Sequence, residues 1–293
     1  MELQEYLRAA SHKIDETLDA LLPKASARPA TIHKAMRYSI FAGGKRLRPV
    51  LTLAAAEVCG GRSEDALFSA CAVECIHTYS LIHDDLPCMD DDDLRRGRPT
   101  SHKVFGEGIA VLAGDALLTV AFELLAQAPT TARYGTAALV RELATASGSR
   151  WLIAGQVLDL EGEGKPVSKA ALRFIHESKT AALLTCAIRL GAMSANATPS
   201  KLEALSRFGH ALGLAFQVID DILDVTQTTE KLGKTAGKDA AVTKATYPAL
   251  FGLKRSREIA AELTQEALTS LAPFGKKAAL LRNLTESMLV REY

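Results

Sequence analysis

Two groups of aspartates could bind a metal ion, and each directly follows a long apolar stretch with helical spacing. The first lies in HDDLPCMDDDDLRRGRP, residues 83–99, and begins with Asp84 and Asp85. The second lies in FQVIDDILDV, residues 216–225, and contains Asp220, Asp221 and Asp224. Carboxylate oxygens suit Mg²⁺, which takes one or two of them and completes its shell with water and substrate phosphates. The two groups therefore predict a magnesium site for a phosphorylated substrate.

The first group begins at the C-terminal end of a predicted helix, because Pro87 disfavours helical geometry at Leu86. That end of a helix carries partial negative charge, which disfavours each carboxylate by about 0.3–1 kcal/mol. Two carboxylates about 4 Å apart also repel each other by roughly 1 kcal/mol in water and about 4 kcal/mol at an effective dielectric of 20. A bound divalent cation would reverse both penalties. Alone, the first group is equally typical of a solvated acidic loop, but a second group in the same position favours the metal site.

Basic residues that could hold phosphate oxygens occur at several places along the chain. Arginine forks and lysine ammonium groups are the usual partners of phosphates in proteins. The candidates are Lys45, Arg46 and Arg48 in GGKRLRP, Arg95 and Arg96 after the first aspartates, Lys179 beside Thr180, and Lys234 and Lys238 in GKTAGKD. Each alone is more typical of a surface charge, and GKTAGKD lacks the glycine spacing and the preceding strand of a P-loop.

The elements that must position these residues are predicted to be helices. Apolar residues recur at helical spacing along most of the chain, and glycine and proline separate the segments. This pattern predicts an all-α fold of roughly ten or more helices in a single domain, residues 1–293. The apolar stretch 109–128 contains Asp115 and Glu123, so we expect a buried core helix and no membrane span.

Composition excludes some classes of function. The net charge is +1 and no basic stripe is interleaved with aromatic residues, so no nucleic-acid binding is expected. The five cysteines form no C-x-x-C pair, which indicates reduced thiols. The N-terminus shows no pattern of a signal or transit peptide, and we expect a cytoplasmic protein.

The motifs together resemble the short-chain trans-prenyltransferases, the isoprenyl diphosphate synthases that include farnesyl and geranylgeranyl diphosphate synthases. The resemblance covers most of the chain in the family's order, through GGKRLRP, IHTYSLIHDDLPCMDDDDLRRGRPTSH, VLAGDALL, SKTAAL, FQVIDDILD and GKTAGKD. It implies the isoprenoid synthase fold, an all-α bundle around a deep central cavity, and a homodimer.

The resemblance also implies a role for individual residues. About three Mg²⁺ would bind between Asp84, Asp85 and Asp90 on one side and Asp220, Asp221 and Asp224 on the other. The allylic diphosphate would bind Arg95, Lys179, Lys234 and Lys238, with Thr180 and Gln217 beside the developing carbocation, and isopentenyl diphosphate would bind Lys45, Arg48, His77 and Arg96. The central catalytic residues would be Asp84, Asp85, Lys179, Asp220 and Lys234. Asp91, Asp92 and Asp93 are expected to be mainly solvated or to support the metal ligands.

The implied reaction is the condensation of isopentenyl diphosphate with dimethylallyl or geranyl diphosphate through an allylic carbocation. Tyr79 and Ser80, about one helical turn before Asp84, are the expected determinants of product length, and Thr119 and Val120 are candidates for the cavity floor. We expect farnesyl diphosphate as the product, with geranylgeranyl diphosphate as the alternative. The rival classes are a terpene cyclase, which the second motif DDILD disfavours, and a non-catalytic regulatory subunit, which would be expected to have lost aspartates.

Overall fold

The computed structural model describes residues 2–226 and 245–289, and helices dominate them. The first helices are α1 (Leu3–Leu21), α2 (Ala30–Ile40), α3 (Leu47–Cys59), α4 (Leu67–Asp84), α5 (Ser101–Phe105), α6 (Glu107–Gln127) and α7 (Thr136–Ser147). They are followed by α8 (Leu152–Gly162), α9 (Lys169–His176), α10 (Ala182–Ser194), α11 (Pro199–Thr226), α12 (Tyr247–Phe251), α13 (Leu253–Ser270) and α14 (Ala279–Leu289). The prediction of an all-α fold is confirmed. The 3₁₀ segments Ser63–Ala66 and Ala272–Ala278 lie between helices.

A small hairpin follows the first aspartates and was not predicted from the sequence. Its strands are β1 (Leu94–Arg95) and β2 (Arg98–Pro99), which pair antiparallel with Arg95 opposite Arg98. Arg96 and Gly97 form the turn with φ values of 55° and 74°. Positive φ at both central residues is the geometry of a type I′ turn, which matches the twist of paired strands. Strands this short show no alternating pattern, so periodicity could not reveal them.

Helix α4 forms the centre of the fold and carries the first aspartates at its end. Small residues such as Ala72 and Cys75 let neighbouring helices approach it, and both are fully buried. It packs against α6 on one side and against α3 and α10 on others. An apolar core surrounds it and extends from α1 to α14. Because the surrounding helices fix α4, the position of Asp84 at its C-terminal end is fixed as well.

Helix α6 is exposed on one side. It is long and apolar enough to cross a membrane by length and composition alone, with a mean hydropathy of 2.0. Ala113, Leu117 and Ala121 are buried, whereas Val111 and Leu112 are exposed, Leu112 by 54%. The expectation of a buried core helix is therefore correct for one face only.

A single π-helical turn, Glu177–Ala181, connects α9 to α10; we call it the π segment. Such turns are rare and frequently occur at functional sites. Two glycines let its neighbours approach closely. A Cβ at Gly155 of α8 would lie 2.5 Å from the backbone nitrogen of Lys179, and one at Gly213 of α11 would lie 2.5 Å from the Cα of Ala181. The π segment is thus clamped between α8 and α11.

Candidate functional site

The first aspartates lie at the inner end of α4, where the chain folds back on itself. Asp84 is the last residue of α4 and is only 8% exposed, and Asp85 is buried beside it. The backbone N–H of Asp90 donates to the carbonyl of Asp84 (2.8 Å), and that of Asp92 donates to the carbonyl of Asp85 (3.2 Å). These bonds satisfy carbonyls that the end of a helix leaves without a partner. They also bring Asp90 back toward Asp84.

Burial opposes the negative charges of this group. Burial raises the pKa of Asp84 to about 6, and the nearby carboxylates of Asp90 and Asp85 add to the rise, while Lys179 and Arg95 partly offset it. The pKa of Asp85 is also raised by burial, against the opposing effect of Arg95. The Arg95 guanidinium donates through Nε to Asp85 Oδ1 (3.0 Å) and through Nη2 to Asp92 Oδ2 (3.1 Å). Further positive charge here would favour the ionised carboxylates.

Helix α8 connects the first aspartates to the π segment through two polar side chains on one face. Gln156 Nε2 donates to Asp84 Oδ1, and three residues later Asp159 Oδ2 accepts from Lys179 Nζ at 2.7 Å. Gln156 Oε1 is buried and has no hydrogen-bond partner among the described residues. Neither Gln156 nor Asp159 was identified from the sequence. The signal that could have found them is a polar pair at i and i+3 within the apolar stretch LIAGQVLDL.

The second aspartates lie near the end of α11 and are connected to the same π segment. Thr180 Oγ1 donates to Gln217 Oε1 (2.9 Å), and Gln217 Nε2 donates to Asp221 Oδ1 (3.1 Å). The backbone N–H of Tyr247 donates to Asp221 Oδ2 at 2.9 Å, and His176 Nε2 lies 3.7 Å from the same oxygen. Asp221 and Asp224 are buried, and Asp220 is half-buried. Contacts through α8 and the π segment therefore join the two aspartate groups.

A second cluster of positive charge surrounds His77 on α4. Arg48 Nη1 lies 3.3 Å from His77 Nε2, and Arg48 Nε is buried with no hydrogen-bond partner among the described residues. Burial lowers the pKa of His77 well below its usual range, and the charges of Arg48, Arg96 and Arg95 lower it further. Neutral imidazole among these guanidinium groups leaves an excess of positive charge. Such a cluster suits an anion with several acceptor oxygens, as predicted for Arg48, His77 and Arg96.

Arg46, from the same GGKRLRP stretch, pairs with carboxylates, although its charge also contributes to lowering the pKa of His77. It is only 3% exposed and pairs with Glu74 Oε1 (2.7 Å) and Asp15 Oδ1 (2.8 Å). Arg46 precedes the first residue of α3, so its pairs with Asp15 and Glu74 connect the start of α3 to α1 and α4 and serve a structural role. Neighbouring Lys45 is exposed, and the Arg96 guanidinium donates to the carbonyl of Gly43.

The other predicted residues are located as follows. Tyr79 is buried with its ring edge-on to that of His83 (5.7 Å), and burial raises the pKa of its phenol to about 12. Ser80 Oγ donates to the carbonyl of His77 at 2.9 Å. Thr119 is exposed and Val120 half-buried on α6. Lys234 and Lys238 lie outside the described residues.

A cleft beside the first aspartates is lined by Asp85, Arg95, Arg96, Tyr38, Thr78 and Leu81. Its depth as a tunnel for a growing chain stays a prediction.

The donor set fits Mg²⁺. The two aspartate groups offer oxygen ligands alone, which suits this hard cation. Buried Asp84 and Asp85 have raised pKa values in the apo protein, and the buried oxygen Gln156 Oε1 has no partner among the described residues. A divalent cation with its ordered water would favour the carboxylates and give the orphaned oxygen a donor. Metal binding itself stays a prediction.

The chain is similar to known proteins in both sequence and fold. The family model described as polyprenyl synthetase matches residues 29–282. The chain is 51% identical to a chloroplastic geranylgeranyl pyrophosphate synthase of Capsicum annuum, over 98% of this chain and 78% of that protein. It is 49% identical to the chloroplastic large subunit 1 of a heterodimeric geranylgeranyl pyrophosphate synthase of Arabidopsis thaliana, over 99% and 80% of the two chains. A geranyltransferase structure from Legionella pneumophila superimposes with a TM-score of 0.87 at 33% identity, covering 99% of this chain and 98% of that one.

These relatives correct two expectations. The expected farnesyl product is wrong, because both curated relatives, at about half identity over nearly the full chain, are geranylgeranyl synthases. Tyr79 and Ser80 were an insufficient basis for predicting product length, since cavity depth depends on residues that several helices contribute.

The expected cytoplasmic location is also wrong, because both relatives are chloroplastic. Reduced cysteines do not distinguish the cytoplasm from the chloroplast. Localisation depends on a targeting signal that a receptor recognises, which is independent of the composition of the core.

Proposed function

Because the chain belongs to the polyprenyl synthetase family, we propose that it is a magnesium-dependent geranylgeranyl diphosphate synthase. The observation that carries the reaction class is the pair of aspartate groups at the ends of α4 and α11, joined through α8 and the π segment. Relatives named geranylgeranyl pyrophosphate synthases support the product. The substrates are isopentenyl diphosphate and an allylic diphosphate, either dimethylallyl, geranyl or farnesyl.

The reaction breaks the allylic C–O bond, so the enzyme must stabilise the negative charge that develops on the departing diphosphate. Bound Mg²⁺ would neutralise part of that charge. Arg95 and Lys179 lie beside Asp85 and Asp159, where each would add positive charge on the same diphosphate. Lys234 and Lys238 are proposed to complete this set. The Gln156 amide, which donates to Asp84, would hold that carboxylate in place for the metal.

The second diphosphate, that of isopentenyl diphosphate, is proposed to bind Lys45, Arg48, His77 and Arg96. The unpartnered buried Nε of Arg48 supports this assignment, because a phosphate oxygen would accept from it. The double bond of isopentenyl diphosphate attacks the allylic cation and forms the new C–C bond. The resulting cation loses a proton to the released diphosphate, which yields the lengthened allylic diphosphate. No protein nucleophile is needed. The cation would form beside Thr180 and Gln217, and an apolar cavity wall would keep water from it.

The active form is proposed to be a homodimer. Exposed apolar residues occur on two helices, Val111 and Leu112 on α6 and Ile153, Val157 and Leu160 on α8. Residues 153, 157 and 160 follow helical spacing and form one stripe. One relative is the large subunit of a heterodimer, so subunit association occurs among proteins similar to this chain. A second copy of this chain would cover the stripe.

The deciding experiment is incubation of the purified protein with isopentenyl diphosphate, Mg²⁺ and each allylic primer, followed by phosphatase treatment and sizing of the alcohols. A C20 alcohol from every primer supports the proposal. A product that stops at C15 with every primer would overturn the chain length, and no product in any reaction would overturn the reaction class. Asp84→Asn should abolish turnover while circular dichroism stays unchanged, because the carboxylate charge is lost at nearly constant volume. Retained turnover would contradict its metal role.

A further inference from the structure

The loop after the first aspartates contains a group of side chains that the proposed reaction does not use. A ring nitrogen of His102 and one carboxylate oxygen from each of Asp91 and Asp93 lie within 4.8 Å of one another. The hairpin explains how they meet. The backbone N–H of Thr100 donates to the carbonyl of Asp93 at 3.0 Å, which extends the pairing of β1 with β2. His102 at the start of α5 therefore returns to the loop that carries the two aspartates.

His102 presents a bare nitrogen in a buried position. The residue is only 6% exposed, and its Nε2 has no hydrogen-bond partner among the described residues. The other nitrogen, Nδ1, lies 3.1 Å from Thr100 Oγ1, and that hydroxyl donates its single proton to the carbonyl of Asp92 at 2.7 Å. Thr100 can therefore only accept from Nδ1–H, which leaves Nε2 with its lone pair. A buried acceptor without a donor is rare and calls for an ordered water or a cation.

We propose that His102, Asp91 and Asp93 form a second divalent-metal site, distinct from the magnesium site, that prefers Zn²⁺ or a similar transition metal. Imidazole nitrogen with carboxylates suits Zn²⁺, Co²⁺ and Mn²⁺, whereas Mg²⁺ and Ca²⁺ prefer oxygen ligands alone. Three protein ligands leave a position for water.

The site requires only a local adjustment of exposed side chains. Zn²⁺ binds nitrogen and oxygen at about 2.0–2.2 Å, so its ligand atoms end roughly 3–3.5 Å apart. Asp91 and Asp93 are both exposed to solvent. Lys103 Nζ lies 2.7 Å from Asp93 Oδ1, and it competes with the metal for that carboxylate unless each takes a different oxygen. The bound ion would tie the loop to α5.

The bound ion would also affect Arg95, the nearby residue that is proposed to bind the allylic diphosphate. Asp92 lies between the two proposed ligands, and its carboxylate accepts from Arg95 Nη2 at 3.1 Å. A metal at residues 91 and 93 would hold the backbone on both sides of Asp92. The site is therefore structural: it orders the segment that carries Arg95 and does not contact the reacting atoms.

The test uses the full chain, stripped of metal and kept in millimolar Mg²⁺ without prenyl substrate, with Co²⁺ as the spectroscopic probe. Co²⁺ in a four- or five-coordinate site with nitrogen absorbs visible light more strongly than Co²⁺ in an octahedral oxygen site. The expected result is a saturable absorption that corresponds to one equivalent of Co²⁺ and disappears on addition of one equivalent of Zn²⁺. His102→Asn and Asp91→Asn should each weaken Co²⁺ binding roughly tenfold or more.

His12→Asn is the matched control, because His12 is exposed and pairs with a carboxylate, that of Glu16. Its Co²⁺ affinity should equal that of the unmodified protein. Absence of the absorption, unchanged affinity in His102→Asn, or displacement of Co²⁺ by millimolar Mg²⁺ would each overturn the proposal. If His102→Asn does not fold by circular dichroism, the exposed double variant Asp91→Asn/Asp93→Asn decides. No readout depends on prenyl transfer, so the proposed function can fail or succeed independently.

Discussion

At the scale of single residues, Gln156 is the neighbour of Asp84 that the sequence did not reveal. Its amide donates to the carboxylate, and a hydrogen bond to a charged group contributes about 1.5–3 kcal/mol. We expect Gln156→Leu to lower the turnover rate about 10- to 100-fold and to raise the Mg²⁺ concentration needed for half-maximal rate. Gln127→Leu is the control, because that amide is exposed and donates to the carbonyl of Glu123 on its own helix. Equal rates for the two variants would remove Gln156 from the site.

Tyr79 is the residue at which the effect of side-chain size on product length can be tested. It is buried one helical turn before Asp84, and its ring packs edge-on against His83. If its ring limits the cavity, Tyr79→Ala should shift the product distribution toward chains longer than C20, measured by sizing the dephosphorylated alcohols. Tyr79→Phe keeps the ring and should leave the distribution unchanged. An unaltered distribution in Tyr79→Ala would show that another element ends the cavity.

At the scale of elements, the π segment holds Lys179 and Thr180 because α8 and α11 approach it closely. A side chain at position 155 would collide with the backbone of Lys179, and overpacking of this kind costs about 1–3 kcal/mol. Gly155→Ala should therefore lower the free energy of unfolding by about that amount, measured by urea denaturation. Gly108→Ala on α6 meets nothing within 4 Å and should leave the stability unchanged or raise it by up to about 1 kcal/mol. Equal stability of both variants would show that α8 can shift.

At the scale of the whole molecule, the apolar stripe proposed as the dimer interface lies on α8, the same helix that carries Gln156 to Asp84. Val157, 46% exposed, lies one residue after Gln156 on an adjacent face of the helix. Val157→Asp should convert the proposed dimer to a monomer, because a desolvated charge would oppose association. Light scattering after size-exclusion chromatography measures this. The same charge at exposed Ala261 on α13 should leave the mass unchanged. A monomeric unmodified protein would refute the proposed assembly, and a dimeric Val157→Asp would place the interface elsewhere.

Local patterns were sufficient for the helices and for the two aspartate groups. Helical spacing of apolar residues predicted the all-α fold, and Pro87 placed Asp84 and Asp85 at the end of α4, where the structure has them. These features follow from interactions between residues close in the chain, so a short window of sequence contains the information. The arginine cluster around His77 is different, because Arg48 lies 29 residues before His77 and the family resemblance named these residues.

The sequence by itself therefore determined the helical class, the ends of the two aspartate-bearing helices and the family. Only the tertiary structure decided which side chains meet. Gln156 contacts Asp84 across 72 residues of chain, Lys179 contacts Asp159 across 20, and Arg46 turns inward to Glu74 across 28. It also decided that one face of α6 stays exposed and that a hairpin returns His102 to Asp91. The physical reason is that such contacts depend on how helices pack around α4, and no local periodicity records that packing.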